Sequence, residues 1–337
     1  MTRIFFTFYI ACLLFLTGCS NKSEVPGNPV LFNNGAYPWV TEYKGTYYYT
    51  MQLDKPHIAL YSATSLADLG KTDSVVVWKP QNDAMHNFWS PEIHRINNKW
   101  YIYFEADNGV NTDNHQIYVL ENASDNPLKG SWTLHGPVIT NQEWNFGIHP
   151  STFTVKGRQY LVWSGWQHRR AEEETQCIFI AEMENPWTLK SERVMLSLPE
   201  CEWERQWINP DGSRSAYPIF VNENPEGFVS PDGKKVIVAY SASGIWTAYN
   251  SLGLLYASTS SDLLNPASWT KLRDPQFVAT PDSGIFGTSN ISIVAGPDNK
   301  PMMLYQAKEL RNGISYSHIR MKPISWNSDG LPEFGQP

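Results

Sequence analysis

A unit of two short strands recurs five times along this 337-residue chain, and it constrains the fold more than any other feature. Each copy has a polar residue beside a proline or at the matching place, then an apolar strand, a tight turn and a strand rich in aromatic residues. The matched prolines Pro38, Pro91, Pro150 and Pro225 lie 53, 59 and 75 residues apart. Repeats of this period are typical of propellers or solenoids, and such spacings fit blades of four short strands. The repeat therefore predicts an all-β fold, a five-bladed β-propeller.

The rest of the chain fits one β domain. Helical periodicity is nearly absent, and Gly, Asn, Asp and Pro turns separate the apolar runs about every ten residues. The alternative is a β-sandwich followed by a second domain, but no Gly/Ser/Pro-rich linker divides residues 29–337. We therefore predict that residues 29–337 form a single propeller.

The N-terminus carries an export signal. Arg3 precedes an apolar run, Ile4–Leu16, of about 13 residues, which is shorter than the roughly 20 residues that cross a bilayer. Leu16-Thr17-Gly18-Cys19 then matches a bacterial lipobox. We predict a signal peptide over 1–18, lipidation of Cys19, a tether over 19–28, and a lipid anchor in the bacterial cell envelope. A chance cysteine after an ordinary signal peptide is the alternative.

The composition restricts the classes of molecule that this protein is expected to bind. A net charge of −7 and a pI near 5.6 argue against nucleic acid, which requires a basic face. The 14 Trp and 17 Tyr residues suit a carbohydrate site, where rings serve as stacking platforms, although propeller cores also consume aromatic residues. Cys177 and Cys201 could pair in an oxidising compartment, but the sequence leaves this open. We expect a monomer.

The repeat also predicts where a binding site lies. If the first strand of each pair lines a central channel, the polar residues at its start converge at one mouth. The alternative for each of them is a hydrogen bond to a neighbouring blade. The converging positions are Tyr37, Ser90 or Glu92, His149, Glu223, and Ser289 or Asn290.

Several segments together resemble glycoside hydrolase family 43, with its arabinofuranosidase and xylosidase members. The resemblance covers almost all of the chain after the signal peptide. It implies a five-bladed propeller and hydrolysis with inversion by a general base Asp, a general acid Glu and a third Asp that tunes the acid. The segments are Gly35–Val40, Trp89–His94, Asn185–Thr188, Trp203-Glu204, Asn222–Pro225, Tyr240–Ser243 and Trp326–Pro332.

Residue by residue, the resemblance places the acid on Glu223, while Tyr37 stands at the base position and His149 at the tuning position. The fifth repeat departs as well, with Ser289-Asn290 where the family commonly has His-Asn. A phenol with a pKa near 10 is a poor base at neutral pH. A neutral imidazole cannot raise the pKa of a neighbouring carboxyl by like-charge repulsion.

Two routes around the lost base stay open. Tyr37 could act as a nucleophile, as tyrosine does in sialidases, with His149 or a carboxylate as its activating partner. Alternatively, Glu92 or Glu226 could serve as the base.

The resemblance thus predicts a glycoside hydrolase acting on terminal pentosyl or furanosyl residues of oligosaccharides or polysaccharides. The alternative is a catalytically impaired glycan-binding propeller, and a purely structural lipoprotein is a third possibility. We expect no cofactor; a central Ca²⁺, as some family members bind, would need oxygen ligands, and the missing fifth-repeat His argues against it. The predicted catalytic residues are Glu223, Tyr37 and His149. The predicted sugar-binding residues are Glu92, Trp39, Trp89, Trp166 and Asn290.

Overall fold

Five antiparallel sheets stand around a central channel, so the chain is a five-bladed propeller, as predicted. The computed structural model describes residues 28–168, 175–206, 220–279, 284–311 and 314–337. The predicted signal peptide and Cys19 lie outside the described residues. The described residues contain no α-helix, and their helical segments are short 3₁₀ turns: Leu66–Lys71, Thr112–Asn114, Glu202–Arg205, Pro266–Ser268 and Pro297–Asn299.

Blades 1 and 2 are consecutive four-stranded meanders. Blade 1 comprises β2 (Trp39–Tyr43), β3 (Thr46–Thr50), β4 (Ile58–Ala63) and β5 (Val75–Trp78). Blade 2 comprises β6 (His86–Ile96), β7 (Lys99–Asp107), β8 (Gln116–Asn122) and β9 (Thr133–His135).

Blades 3 and 4 share a continuous ladder through a short parallel pairing of β12 with β15. Blade 3 comprises β10 (Ile148–Val155), β11 (Arg158–Trp166), β12 (Thr175–Asn185) and β14 (Val194–Ser197), with the two-residue β13 (Thr188–Leu189) beside β12. Blade 4 comprises β15 (Phe220–Val229), β16 (Lys235–Ala242), β17 (Ser251–Ser258) and β18 (Thr270–Lys271).

Blade 5 closes the ring with a strand from the other end of the chain. Its first three strands are β19 (Phe286–Ala295), β20 (Pro301–Arg311) and β21 (Ile314–Pro323), and the fourth is β1 (Val30–Phe32), antiparallel to β21. A small hairpin of β22 (Ser325–Trp326) and β23 (Pro332–Glu333) follows. The innermost strands β2, β6, β10, β15 and β19 each contact the next, and β19 contacts β2.

The hydrophobic core is divided among the five interfaces between adjacent blades. Trp100 and Ile58 belong to the cluster between blades 1 and 2, and Trp163 and Tyr103 to the next. Three further clusters occupy the remaining interfaces, including the one between blades 5 and 1. Most of these aromatic side chains therefore pack between adjacent blades, as in other propellers.

Each inner strand has, within its first five residues or just before it, a residue in the left-handed region of the backbone map. In four of these strands the pairing with the second strand shifts register at this point, as in a β-bulge. The matched residues and their φ angles are Tyr37 (53°), Ser90 (41°), His149 (52°), Asn224 (49°) and Asn290 (45°). Asn224, not Glu223, is thus the backbone equivalent of Tyr37 and His149 in blade 4, and Glu223 is the residue before it.

Cys177 and Cys201 are both buried and are not joined by a disulfide. In the described parts of the chain, no helix has the length and apolar character needed to cross a membrane.

Candidate active site

A cavity of about 330 Å³ opens at the mouth of the channel. It brings together five of the predicted site residues: Tyr37, Trp89, His149, Trp166 and Glu223. The other lining residues are Gln52, Thr112, Asp113, Phe146, Ile148, Gln176, Ile245 and Trp246. These lining residues come from blades 1 to 4 and the loops that follow their strands.

Glu223 holds the only strongly perturbed carboxyl among the side chains that line this cavity in the described structure. The residue is 2% exposed, and its Oε1 accepts a hydrogen bond of 3.1 Å from the backbone N–H of Ile245. Burial raises the pKa of Glu223 to about 7, although the Ile245 N–H and the positive charge of Lys308 oppose the rise. A carboxyl with such a pKa carries a proton for part of the time at neutral pH and can donate it.

His149 lies between two carboxyl groups. Its Nδ1 is 3.9 Å from Oε2 of Glu223, and its Nε2 is 3.8 Å from Oε1 of Glu105. Neither ring nitrogen has a hydrogen-bond partner within the described part of the chain. Burial lowers the pKa of His149 to about 3, so the imidazole is neutral at physiological pH.

The position of His149 also excludes one role. An inverting acid and base stand roughly 6.5–9.5 Å apart so that water fits between them and the sugar. His149 is far closer than that to Glu223. It therefore occupies the place of a neighbour to the acid, not that of an opposed base.

Tyr37 forms the cavity wall beside His149. The two rings stack with centroids 4.9 Å apart and planes inclined by 28°, and the Tyr37 N–H donates to Oε1 of Gln306 at 3.1 Å. Burial raises the pKa of the Tyr37 phenol well above its usual value, and the charges of Glu223 and Glu105 raise it further. The phenol therefore stays protonated at neutral pH.

Glu105, which the sequence repeat does not mark, is a buried carboxyl on β7. The side chain is inaccessible to solvent. Burial raises the pKa of Glu105 to about 8. Its side chain points toward the channel from the second strand of a blade, whereas the sequence unit singled out only the starts of first strands.

Two further glutamates lie deeper in the channel wall, outside the lining of the cavity. Oε2 of Glu92 is 2.9 Å from Nε2 of His94, and burial followed by the charge of Glu226 raises the pKa of Glu92 well above its usual value. Glu226 accepts a hydrogen bond of 3.0 Å from Ile293 N–H, and burial raises its pKa to about 8. The predicted sugar contact of Glu92 thus receives no support from the shape of the cavity.

Trp39 and Asn290 also lie outside the cavity lining. The Trp39 indole N–H donates to Ile93 O at 2.8 Å within the core between blades 1 and 2. Asn290 donates through Nδ2 to Oε1 of Gln306 at 2.8 Å, the same oxygen that accepts from Tyr37 N–H. Asn290 is therefore linked to Tyr37 through one intermediate side chain.

Aromatic rings flank the cavity on two sides. Trp166 stacks on Phe146 with centroids 4.1 Å apart, and Trp89 stacks on the buried His115 at 3.8 Å. A second cavity of about 280 Å³ shares Trp89 and Gln52 with the first. Trp89 thus lies between the two cavities, and its ring packs against the buried His115.

Trp246 is a cavity residue that sequence alone does not point to. It is 44% exposed, an unusual state for a tryptophan, and it follows β16 on a loop outside the recurring unit.

No group of three or more His, Cys, Asp or Glu side chains in the described ranges is placed to hold a metal ion.

Known proteins provide the context for this site. The model of glycosyl hydrolases family 43 matches residues 26–332. An extracellular exo-alpha-(1->5)-L-arabinofuranosidase of Streptomyces avermitilis is 34% identical over 355 residues, covering 100% of this chain and 70% of that protein. Alpha-L-arabinofuranosidase B of Pyricularia oryzae is 31% identical over 336 residues, covering 93% of this chain and 65% of that protein.

The same relationship appears among solved structures. The alpha-L-arabinofuranosidase from Lactobacillus brevis superposes with a TM-score of 0.81 at 29% sequence identity, covering 91% of this chain and 95% of that one. A thermostable family-43 glycoside hydrolase, at 19% identity and a TM-score of 0.69, shares the fold. The chain belongs to glycosyl hydrolases family 43.

Proposed function

We propose that this protein is a glycosidase that removes terminal arabinofuranosyl or xylosyl residues from plant or host glycans, with Glu223 as the general acid. The observation that carries the proposal is the burial of Glu223 in the wall of a cavity, with a pKa raised to about 7. The named activities of the relatives point to the arabinofuranosyl group as the preferred sugar.

The chemistry of the bond requires such an acid. A glycosidic oxygen is a poor leaving group until it is protonated, so a carboxyl must stay protonated near neutral pH. Burial supplies this condition at Glu223 without a second carboxylate beside it. In this proposal Glu223 can therefore act as the acid although His149 stands at the tuning position.

Tyr37 takes the second reacting position in this proposal. Its ring lines the cavity and stacks on His149, which is itself adjacent to Glu223. A tyrosine in this place suits a nucleophilic route that retains configuration, as in sialidases. The Tyr37 oxygen bonds to the anomeric carbon as the glycosidic C–O bond breaks, Glu223 protonates the leaving oxygen, and the neutral imidazole of His149 takes the phenolic proton. Water then hydrolyses the glycosyl-tyrosine. Trp89 and Trp166 supply the flanking rings for sugar stacking.

A second candidate function is glycan binding without turnover. It is favoured by one specific observation: neither Tyr37 nor His149 is ionised at neutral pH, since burial raises the pKa of the phenol and lowers that of the imidazole. A propeller of this family with no ionised group at either position would bind its sugar and release it unchanged.

Turnover distinguishes the two functions. The mature protein is assayed against aryl α-L-arabinofuranosides and β-D-xylosides and against arabinan, xylan and arabinogalactan oligosaccharides. We expect hydrolysis that Glu223→Gln abolishes, because the amide cannot protonate the leaving group, while the exposed Glu184→Gln serves as a matched control. No turnover by the wild type on any substrate, with retained sugar affinity, would favour the binding function instead.

We also propose that the protein is held at the cell envelope by a lipid on Cys19 and acts there on extracellular glycans as a monomer. Two of the relatives are named as extracellular enzymes. Cys19→Ala should move the protein from the membrane fraction to the soluble fraction, because acylation is the predicted anchor. A variant that still sediments with membranes would contradict this.

A further inference from the structure

The segment after β16 brings two residues to the cavity wall and is itself firmly held. Thr247 N–H donates to Gly244 O at 2.8 Å, closing a tight turn around Ile245 and Trp246. Asn250 Nδ2 donates to Ser243 O at 3.0 Å at the base of the loop. The two cavity residues thus share one hydrogen-bonded turn.

The Ile245 peptide connects the acid to a lysine of the next blade. Its N–H donates to Oε1 of Glu223 at 3.1 Å, and its carbonyl oxygen accepts a hydrogen bond from Nζ of Lys308 on β20. Lys308 and Glu223 also interact through their charges. A single peptide group therefore lies between the general acid and a cation.

Lys308 is held away from water. Burial lowers its pKa to about 8, and the charge of Glu223 opposes this effect. Gly287 makes room for its stem, since a Cβ there would lie 3.3 Å from Cδ of Lys308. Withdrawing an ammonium group from water costs free energy. The hydrogen bond to Ile245 O and the charge of Glu223 offset part of this cost.

Trp246, the residue after Ile245, is seated on a glycine. A Cβ on Gly244 would lie 2.3 Å from Cζ2 and 2.5 Å from Cε2 of the Trp246 ring. The ring can occupy its present place at the cavity only because residue 244 has no side chain. Its 44% exposure leaves an indole surface free to contact a ligand.

From these contacts we propose that Trp246 is a stacking platform for the sugar and that Lys308 is a positioning residue for Glu223. The turn that contains the Ile245 peptide carries Trp246 and joins Lys308 to Glu223. This inference rests on the proposed role of Glu223. It adds a specificity-determining residue and a positioning residue from outside the three family positions.

The platform is tested by binding, in the Glu223→Gln background so that turnover does not interfere. Isothermal titration with α-1,5-linked L-arabinotriose should show affinity about 2- to 10-fold weaker for Trp246→Ala, the range expected for one lost aromatic contact. Trp246→Phe should retain most of the affinity. Gly244→Ala should weaken binding as Trp246→Ala does, because it keeps the indole but displaces it. Unchanged affinity in both alanine variants, with unchanged thermal unfolding, would overturn the platform.

The positioning role is tested by titrating Glu223, which needs no ligand and no turnover. The groups that face Glu223 are His149 of blade 3, Tyr37 of blade 1, Lys308 of blade 5 and, beyond the imidazole, Glu105 of blade 2. Carbon NMR of protein labelled at glutamate carboxyls, with the Glu223 signal assigned from Glu223→Gln, reports the pKa directly.

Lys308→Met should raise the pKa of Glu223, because the lysine charge that favours the carboxylate is removed. Lys308→Arg should return it toward the wild-type value, which a purely structural role for the stem would not predict. An unchanged pKa in Lys308→Met would overturn the positioning role. If the pKa shifts as expected but no substrate is turned over, the positioning role of Lys308 stands and the proposed hydrolysis fails.

Discussion

At the scale of single residues, the site shows how a carboxyl can keep its proton without a negatively charged residue directly beside it. Glu223 reaches a pKa of about 7 through burial, while the neighbouring His149 is neutral. Removing water from a carboxyl and placing a like charge beside it both disfavour the ionised form. The raised pKa of Glu223 therefore does not require a carboxylate at position 149.

Tyr37→Asp tests whether the base is the missing part. The substitution places a carboxylate at the position that resembles the family's base, in the same cavity as the proposed acid, Glu223. We expect hydrolysis of aryl α-L-arabinofuranosides at least tenfold above wild type, since a positioned general base contributes roughly 10²–10⁴-fold. Tyr37→Asn is the matched control, with the same shape and no basic group. A rate in Tyr37→Asp no higher than in Tyr37→Asn would locate the defect at His149 as well.

The raised pKa of Glu105 predicts that the free energy of unfolding depends on pH. The pKa of Glu105 is raised to about 8 in the folded protein, so between its ordinary value and pH 8 the folded state binds more protons than the unfolded state. The free energy of unfolding must then fall as pH rises through this window, with a slope of at most about 1.4 kcal/mol per pH unit for this group. Glu105→Gln should flatten the decline in urea unfolding between pH 5 and pH 8. An unchanged slope would show that Glu105 is ionised in the folded protein.

At the scale of the strand, the repeat predicted the five inner hairpins and the convergence of their first residues. Tyr37 and His149 could be placed at the channel mouth because each stands directly before a proline in the repeat. Glu105 could not, because its inward direction depends on the twist of a second strand. Trp246 could not either, since a loop after a strand has no period to mark it.

The fourth inner strand offers a direct test of the bulge. Asn224 adopts φ 49° at the position equivalent to Tyr37, and its N–H donates to Oγ of Ser164 at 3.0 Å. Asparagine tolerates this left-handed conformation and glycine adopts it freely, but alanine does not. Asn224→Ala should lower the free energy of unfolding by about 1 kcal/mol, whereas Asn224→Gly should change it little. Equal losses in both variants would assign the effect to the asparagine side chain and not to the backbone.

At the scale of the whole molecule, the ring is closed by residues that are almost 300 positions apart. The sequence predicted one domain because no linker divides it, and the division of the core among five interfaces explains why no blade stands alone. The use of β1 as the outer strand of blade 5 was not predicted, because three residues near the N-terminus carry no pattern of their own.

The closure makes the last prediction. Asn28, just before β1, donates through Nδ2 to the Tyr305 hydroxyl at 2.7 Å and accepts from it through Oδ1 at 3.0 Å. Asn28→Ala and Tyr305→Phe should each lower the free energy of unfolding by about 0.5–1.5 kcal/mol, the net value of a hydrogen bond in a folded protein. The double variant should lose less than the sum, because both changes remove the same contacts. Urea unfolding should remain a single transition in every variant, since blade 5 shares its core with blades 4 and 1. Additive losses would show that the two side chains do not act together, and a separate early transition would show that blade 5 opens before the rest of the ring.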